Sequence, residues 1–121
     1  MNFGIIGLGR IAKKFAKTVN EMDGATLYAV ASRDISKAEE FKGEFNACKA
    51  YGSYEELYRD KDVDCIYIST PNSMHYKNAM DALKCGKNVI CEKPFTINPS
   101  EAKDLYSYAK EHKLFIMEAL W

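Results

Sequence analysis

Short apolar runs alternate with amphipathic stretches along the whole chain. Residues 3–6 read as a first strand. Ile11, Phe15 and Val19 then recur every four residues beside Ala12 and Ala16, an apolar stripe at helical period. Residues 25–31 predict a second strand, carrying Leu27, Tyr28 and Val30. Ser36-Lys37-Ala38-Glu39 has the form of a capping box and predicts a helix running toward Phe45. Residues 47–51 predict a weak third strand. Ser53-Tyr54-Glu55-Glu56 repeats the capping box and opens a short helix through Leu57. Cys65-Ile66-Tyr67-Ile68-Ser69 predicts a fourth strand, stopped by Pro71. A helix over 74–85 should end at Gly86, a residue suited to the left-handed turn past a helix end. Residues 88–91 predict a fifth strand, halted before Pro94. Asn98, Pro99 and Glu101 place a cap, a first-turn proline and an acidic third residue together. That helix carries Ala102, Leu105, Tyr106 and Ala109, and residues 114–117 predict a sixth strand.

The order is strand then helix, repeated, with connections long enough to join parallel strands. Right-handed crossovers build an α/β doubly wound parallel sheet of six strands with helices on both faces. Ligands of such sheets bind beyond the carboxyl ends of the strands, so chemistry-bearing residues are sought just after each strand. No linker, repeat or low-complexity stretch interrupts the 121 residues, and residues 1–121 read as one domain.

Composition narrows the partners. Lys plus Arg is 17 and Asp plus Glu is 17, a net charge of +0, so no basic excess points to nucleic acid or an anionic membrane. The apolar runs are too short for a transmembrane helix, and the N-terminus lacks the pattern of a secretory signal. Cys48, Cys65, Cys85 and Cys91 form no C-x-x-C pair, which argues against structural zinc and leaves the metal set empty. They read as reduced, mostly buried thiols of a cytoplasmic protein.

The first candidate site is the turn after strand one. Gly7-Leu8-Gly9-Arg10-Ile11-Ala12 matches the dinucleotide-binding fingerprint, with Ala12 in the third small position. Gly7 permits a tight turn, Gly9 leaves room for a pyrophosphate against the backbone, and Ala12 lets the helix lie close on the sheet. The helix N-terminus then offers N–H groups and partial positive charge to phosphates. After strand two comes Ala31-Ser32-Arg33-Asp34. An NAD-specific site places an acid at the second of these positions, to accept from the ribose 2′-hydroxyl. Ser32 and Arg33 suit a 2′-phosphate instead. A charge-assisted hydrogen bond of ~1.5–3 kcal/mol favours NADP over NAD by roughly ten- to a hundred-fold. With the register two residues on, Asp34 would take the ribose.

After strand four, Asn72 and His75 of Thr70-Pro71-Asn72-Ser73-Met74-His75 face the crevice. Asn72 suits ribose or carboxamide groups, and His75 is either a ligand contact or a structural hydrogen-bonder. After strand five comes Glu92-Lys93-Pro94. A partly desolvated Lys93 with a lowered pKa could help move a proton at a substrate hydroxyl. Glu92 could hold that ammonium or cap the strand.

Taken in order, these motifs, with Gly86-Lys87-Asn88-Val89-Ile90-Cys91-Glu92-Lys93-Pro94 complete, resemble the N-terminal domain of the Gfo/Idh/MocA oxidoreductases. The ending Phe115-Ile116-Met117-Glu118-Ala119-Leu120-Trp121 looks most like the dihydrodiol dehydrogenase branch. The resemblance implies hydride transfer between NAD(P) and a hydroxyl or carbonyl carbon of a sugar, cyclitol or diol. It implies that Lys93 touches the reacting hydroxyl, and that Gly7, Leu8, Gly9, Arg10 and Ile11 cradle the pyrophosphate. Ser32 and Arg33 become the ribose selector. Thr70, Pro71, Asn72 and His75 line the cofactor groove, and Glu92 sits beside the nicotinamide. Members of this family also carry a second domain with the substrate pocket and usually the oligomer interface. By that comparison these residues are expected to be a cofactor domain alone, covered at Trp121 by that second domain. Two readings compete with the oxidoreductase: a non-catalytic dinucleotide-sensing or interaction module, and an S-adenosylmethionine site. The missing acid after strand two weighs against the latter.

Overall fold

The computed structural model describes residues 1–93, 96 and 98–119. Six parallel strands form one sheet in the order β3-β2-β1-β4-β5-β6. The strands are β1 (Asn2–Ile6), β2 (Thr26–Ala31), β3 (Lys49–Tyr51), β4 (Cys65–Ile68), β5 (Asn88–Cys91) and β6 (Ile116–Glu118). The helices are α1 (Arg10–Glu21), α2 (Ile35–Phe45), α3 (Tyr54–Tyr58), α4 (His75–Lys84) and α5 (Pro99–Glu111). A 3₁₀ turn, Asn72–Met74, leads into α4. Strand order reverses between β1 and β4, and the ligand crevice of a doubly wound sheet opens at that point.

Alternate side chains of each strand go to opposite faces. Phe3, Ile5, Leu27, Val30 and Tyr67 pack with Phe15, Val19 and Phe41 of α1 and α2. Ile6, Ile66, Ile68 and Val89 pack with Leu57, Leu83 and Leu105 of α3, α4 and α5. Burial of each large aliphatic chain contributes about 1.5–3 kcal/mol, so each layer is tied to the sheet by several such terms.

Two helix starts follow their local signals. Ser53 Oγ accepts from Glu56 N–H at 3.3 Å, capping the helix as the box predicts, while the Glu56 carboxylate turns back to accept from the Ser53 hydroxyl at 2.9 Å. The Asn98 side chain accepts from Glu101 N–H at 3.0 Å. The start of α2 differs. Its cap is Asp34, whose Oδ1 accepts from Ser36 N–H at 2.9 Å, so the helix begins at Ile35 and Ser36 lies inside it. Aspartate is the stronger acceptor and its extended backbone already fits the cap, which displaces the predicted box. Gly86 does follow α4 in a left-handed conformation (φ +80°), with Gly86 N–H donating to the Leu83 carbonyl at 2.9 Å.

The cysteines divide. Cys65 and Cys91 lie buried in strands, whereas Cys48 and Cys85 are exposed, so the expectation of mostly buried thiols holds for half of them. Both exposed ones sit in connections beyond the ends of regular elements, where nothing covers them. Among the described residues no helix is long and apolar enough to cross a membrane.

Candidate dinucleotide site

The turn between β1 and α1 is built by close backbone approach. Gly7 has φ +83°, and a Cβ there would stand 2.5 Å from the carbonyl carbon of Ser69 and the nitrogen of Thr70. Glycine is required by both conformation and space. Ser69 Oγ donates to the Gly7 carbonyl at 2.5 Å, and Ser69 N–H donates to the Ile6 carbonyl at 3.0 Å. Gly9 is different: a Cβ there would meet nothing within 4 Å. The space above Gly9 is open, at the N-terminus of a twelve-residue helix that has neither a side-chain cap nor an acid in its first turn. Its leading N–H groups therefore point toward that space without a protein acceptor at the cap. Arg10, the first helical residue, is exposed beside it. An open, uncapped helix N-terminus of this kind suits an anion.

From the turn, candidate residues spread both ways. On the β2 side, Ser32 N–H donates to the Tyr51 carbonyl at 3.1 Å, and Ser32 Oγ accepts from Asp34 N–H at 3.1 Å. Arg33 is exposed, and its guanidinium makes no hydrogen bond or ion pair among the described residues. Asp34 is the α2 cap, so its carboxylate is already engaged in helix structure. Leu8 lines a small cleft of about 150 Å³ with Lys13, Lys37, Glu40, Phe41 and Glu44. Sequence reasoning passed over Lys13 and Lys37; the signal available was their position in the first turns of the two helices flanking the crevice.

On the β4–β5 side, Ile11, Ser69, Thr70, Asn72, His75, Glu92 and Lys93 line a cleft of about 190 Å³. Six of the sequence candidates thus converge, with Ser69 added. Pro71 starts the 3₁₀ turn but does not line the cleft. Thr70 is buried and its hydroxyl donates to Asn78 Oδ1 at 2.6 Å, into α4. His75 is buried, with Nε2 at 2.8 Å from the Thr70 carbonyl. A carbonyl only accepts, so Nε2 carries the proton. The imidazole thereby ties α4 to the loop that shapes the cleft, which it also lines.

Glu92 N–H donates to the Ile68 carbonyl at 3.0 Å, which registers the end of β5 against β4. The Glu92 carboxylate accepts from the phenol of Tyr67. Tyr67 was not a candidate from sequence, because a tyrosine inside an apolar strand reads as core. Lys93 is exposed and its ammonium makes no hydrogen bond or ion pair among the described residues. It projects from a strand end that the described residues do not cover. Pro94 and Trp121 lie outside the described residues. Among the described residues no group of three or more His, Cys, Asp or Glu side chains could hold a metal ion.

Known proteins are similar to this chain in sequence and fold. The chain is 39% identical over 123 residues to mouse trans-1,2-dihydrobenzene-1,2-diol dehydrogenase, covering 100% of this chain and 37% of the relative. It is 46% identical over 134 residues to D-xylose 1-dehydrogenase (NADP(+)) of Hypocrea jecorina, covering 100% of this chain and 34% of that one. A crystal structure of a 3-ketoreductase from Actinomadura kijaniata in complex with TDP-benzene and NADP superimposes with a TM-score of 0.94 at 30% identity, over 98% of this chain and 37% of the other. The chain spans about a third of the length of these relatives. The oxidoreductase family with an NAD-binding Rossmann fold matches residues 1–120. With the fingerprint turn, the strand order and the convergent cleft in place, the chain belongs to the Gfo/Idh/MocA oxidoreductases, as their NAD(P)-binding Rossmann domain.

Proposed function

We propose that this domain binds NADP in preference to NAD and serves an enzyme acting on a hydroxyl or carbonyl carbon of a sugar, cyclitol or diol. The observation that carries the cofactor choice is the end of β2. No acid stands at the residue right after β2, and the nearest one, Asp34, directs its Oδ1 to the Ser36 N–H as the cap of α2. Ser32 and an exposed Arg33 offer a donor hydroxyl and a guanidinium to a 2′-phosphate. The relatives named for NADP, the xylose dehydrogenase and the ketoreductase complex, support the same choice.

In this reading Gly7, Leu8, Gly9, Arg10 and Ile11 hold the pyrophosphate, and Thr70, Asn72, His75 and Glu92 shape the nicotinamide end. When bound, the dinucleotide supplies the hydride donor or acceptor. Lys93 hydrogen-bonds the reacting hydroxyl and assists its proton transfer at the cleft rim. The substrate pocket and any oligomer contact belong to a further domain, as the dehydrogenase relatives' greater length supports. Four free cysteines fit a reducing compartment such as the cytoplasm.

A fluorescence titration with NADPH and NADH in parallel tests the reading. Saturable binding with NADPH tighter is the expected result. NADH bound tighter overturns the NADP assignment, and no binding of either overturns the site.

A further inference from the structure

Tyr67 stands at an unusual junction. Its side chain is fully buried in the middle of the sheet, at β4. Its ring stacks on Phe15 of α1, with centroids 3.9 Å apart and planes within 3°. Its phenol emerges at the Glu92 carboxylate, one residue past β5, the strand neighbouring its own. Glu92 and Lys93 line the same cleft. An aromatic chain in this place could fill the core equally well as phenylalanine. The hydroxyl donates to the Glu92 carboxylate, a contact that a phenylalanine would lose.

We propose that Tyr67 is a positioning residue that holds the Glu92 carboxylate at the nicotinamide end of the cleft, and that the pair biases the domain toward the oxidised cofactor. This rests on the reading of that cleft as the nicotinamide's place. A phenol donating to a carboxylate fixes its direction. The oxidised nicotinamide ring carries a positive charge that the reduced ring lacks. A fixed anion beside it therefore stabilises one redox state and leaves the other nearly untouched. Lys93, a cation in the same cleft, acts in the opposite sense, so the anion has a charge to offset before it favours the oxidised ring.

The test is calorimetric titration of the chain with NADP+ and with NADPH separately, for the wild type, Tyr67→Phe, Glu92→Gln and the double variant. Tyr67→Phe keeps the ring stack and removes only the hydroxyl. The expected result is that the ratio Kd(NADP+)/Kd(NADPH) rises about tenfold or more in Tyr67→Phe, the scale of one hydrogen bond to a charged group. Glu92→Gln raises it in the same direction, and adding Tyr67→Phe to Glu92→Gln raises it no further. A purely structural tyrosine would weaken both redox forms alike; that outcome, or an unchanged ratio, or additive effects in the double variant, overturns the inference while leaving the site intact. A wild type that binds neither form overturns the underlying reading of the cleft, and the inference with it.

Discussion

Ser69 Oγ donates to the carbonyl of Gly7 at 2.5 Å, stitching the turn after β1 to the end of β4. The two central strands thus meet at the point where strand order reverses, and the glycine has no room for a side chain there. Gly7 and Gly9 should consequently fail in different ways. Gly7→Ala combines a left-handed backbone with a 2.5 Å clash and destabilises the fold by about 2–4 kcal/mol, read by urea unfolding. Gly9→Val fits the fold, since nothing lies within 4 Å of its Cβ, yet fills the phosphate space. Its circular dichroism and unfolding midpoint stay near wild type while NADPH affinity falls by about a hundredfold or more.

Arg33→Ala removes the cation facing the expected 2′-phosphate. NADPH affinity should drop about tenfold or more, with NADH affinity changed by less than about threefold. Equal losses for the two would move the selector elsewhere.

In the proposed reading Lys93 touches a substrate hydroxyl rather than the adenosine half of a cofactor, and it lines the cleft with Glu92 and His75. Lys93→Ala should leave NADPH affinity within about threefold, while turnover measured in the full-length protein falls by about a hundredfold, the scale of lost acid–base assistance. An unchanged turnover number would remove Lys93 from the mechanism.

At the opposite end of the sheet, the Lys87 ammonium is buried and donates to the carbonyls of Asp60 at 2.6 Å and Val63 at 2.7 Å. Lys87→Met strands both acceptors and relieves the cost of burying the charge. The net expectation is a loss of about 2 kcal/mol without effect on dinucleotide affinity, measured by unfolding and titration of the same sample.

Stability should decline at alkaline pH through two thiols. Burial pushes Cys65 and Cys91 from the ordinary 9.0 up to about 12. The unfolded chain releases these protons first as pH rises past 9.0, so their contribution is full below that value and is lost progressively toward about 12. Burial holds Lys87 below its ordinary value, which acts in the opposite sense in the alkaline range. Cys65→Ala and Cys91→Ala should flatten the decline between about pH 9 and about pH 11 relative to wild type, in thermal melts taken at intervals of pH. A slope unchanged in both variants would show that the thiols do not carry it.

Much of this protein was legible residue by residue, because the signals involved are local. A glycine with φ above zero, a capping box at Ser53, an asparagine cap with proline behind it at Asn98, and a terminator at Gly86 each act within one turn of chain. Their outcome hardly depends on what packs against them. The alternation of strand and helix, and hence the α/β sheet and its crevice, followed from the same scale of information. The start of α2 misled because Asp34 and Ser36 compete for one helix end, and the winner is set by backbone geometry that spacing does not show.

Side-chain roles were decided by contacts between segments distant in sequence. His75 read equally as a ligand contact or a structural hydrogen-bonder, and only folding brought its Nε2 to the Thr70 carbonyl while leaving it in the lining of the cleft. Tyr67 read as core until β5 brought Glu92 to its hydroxyl, 25 residues away. Lys93 was expected to be partly desolvated, and the tertiary structure leaves it exposed. Local conformation is fixed by each residue's own steric and hydrogen-bonding preferences, so the chain announces it. Burial, hydrogen-bond partners and ionisation depend on the distance between groups far apart in sequence, which is settled only when the sheet closes and its helices pack.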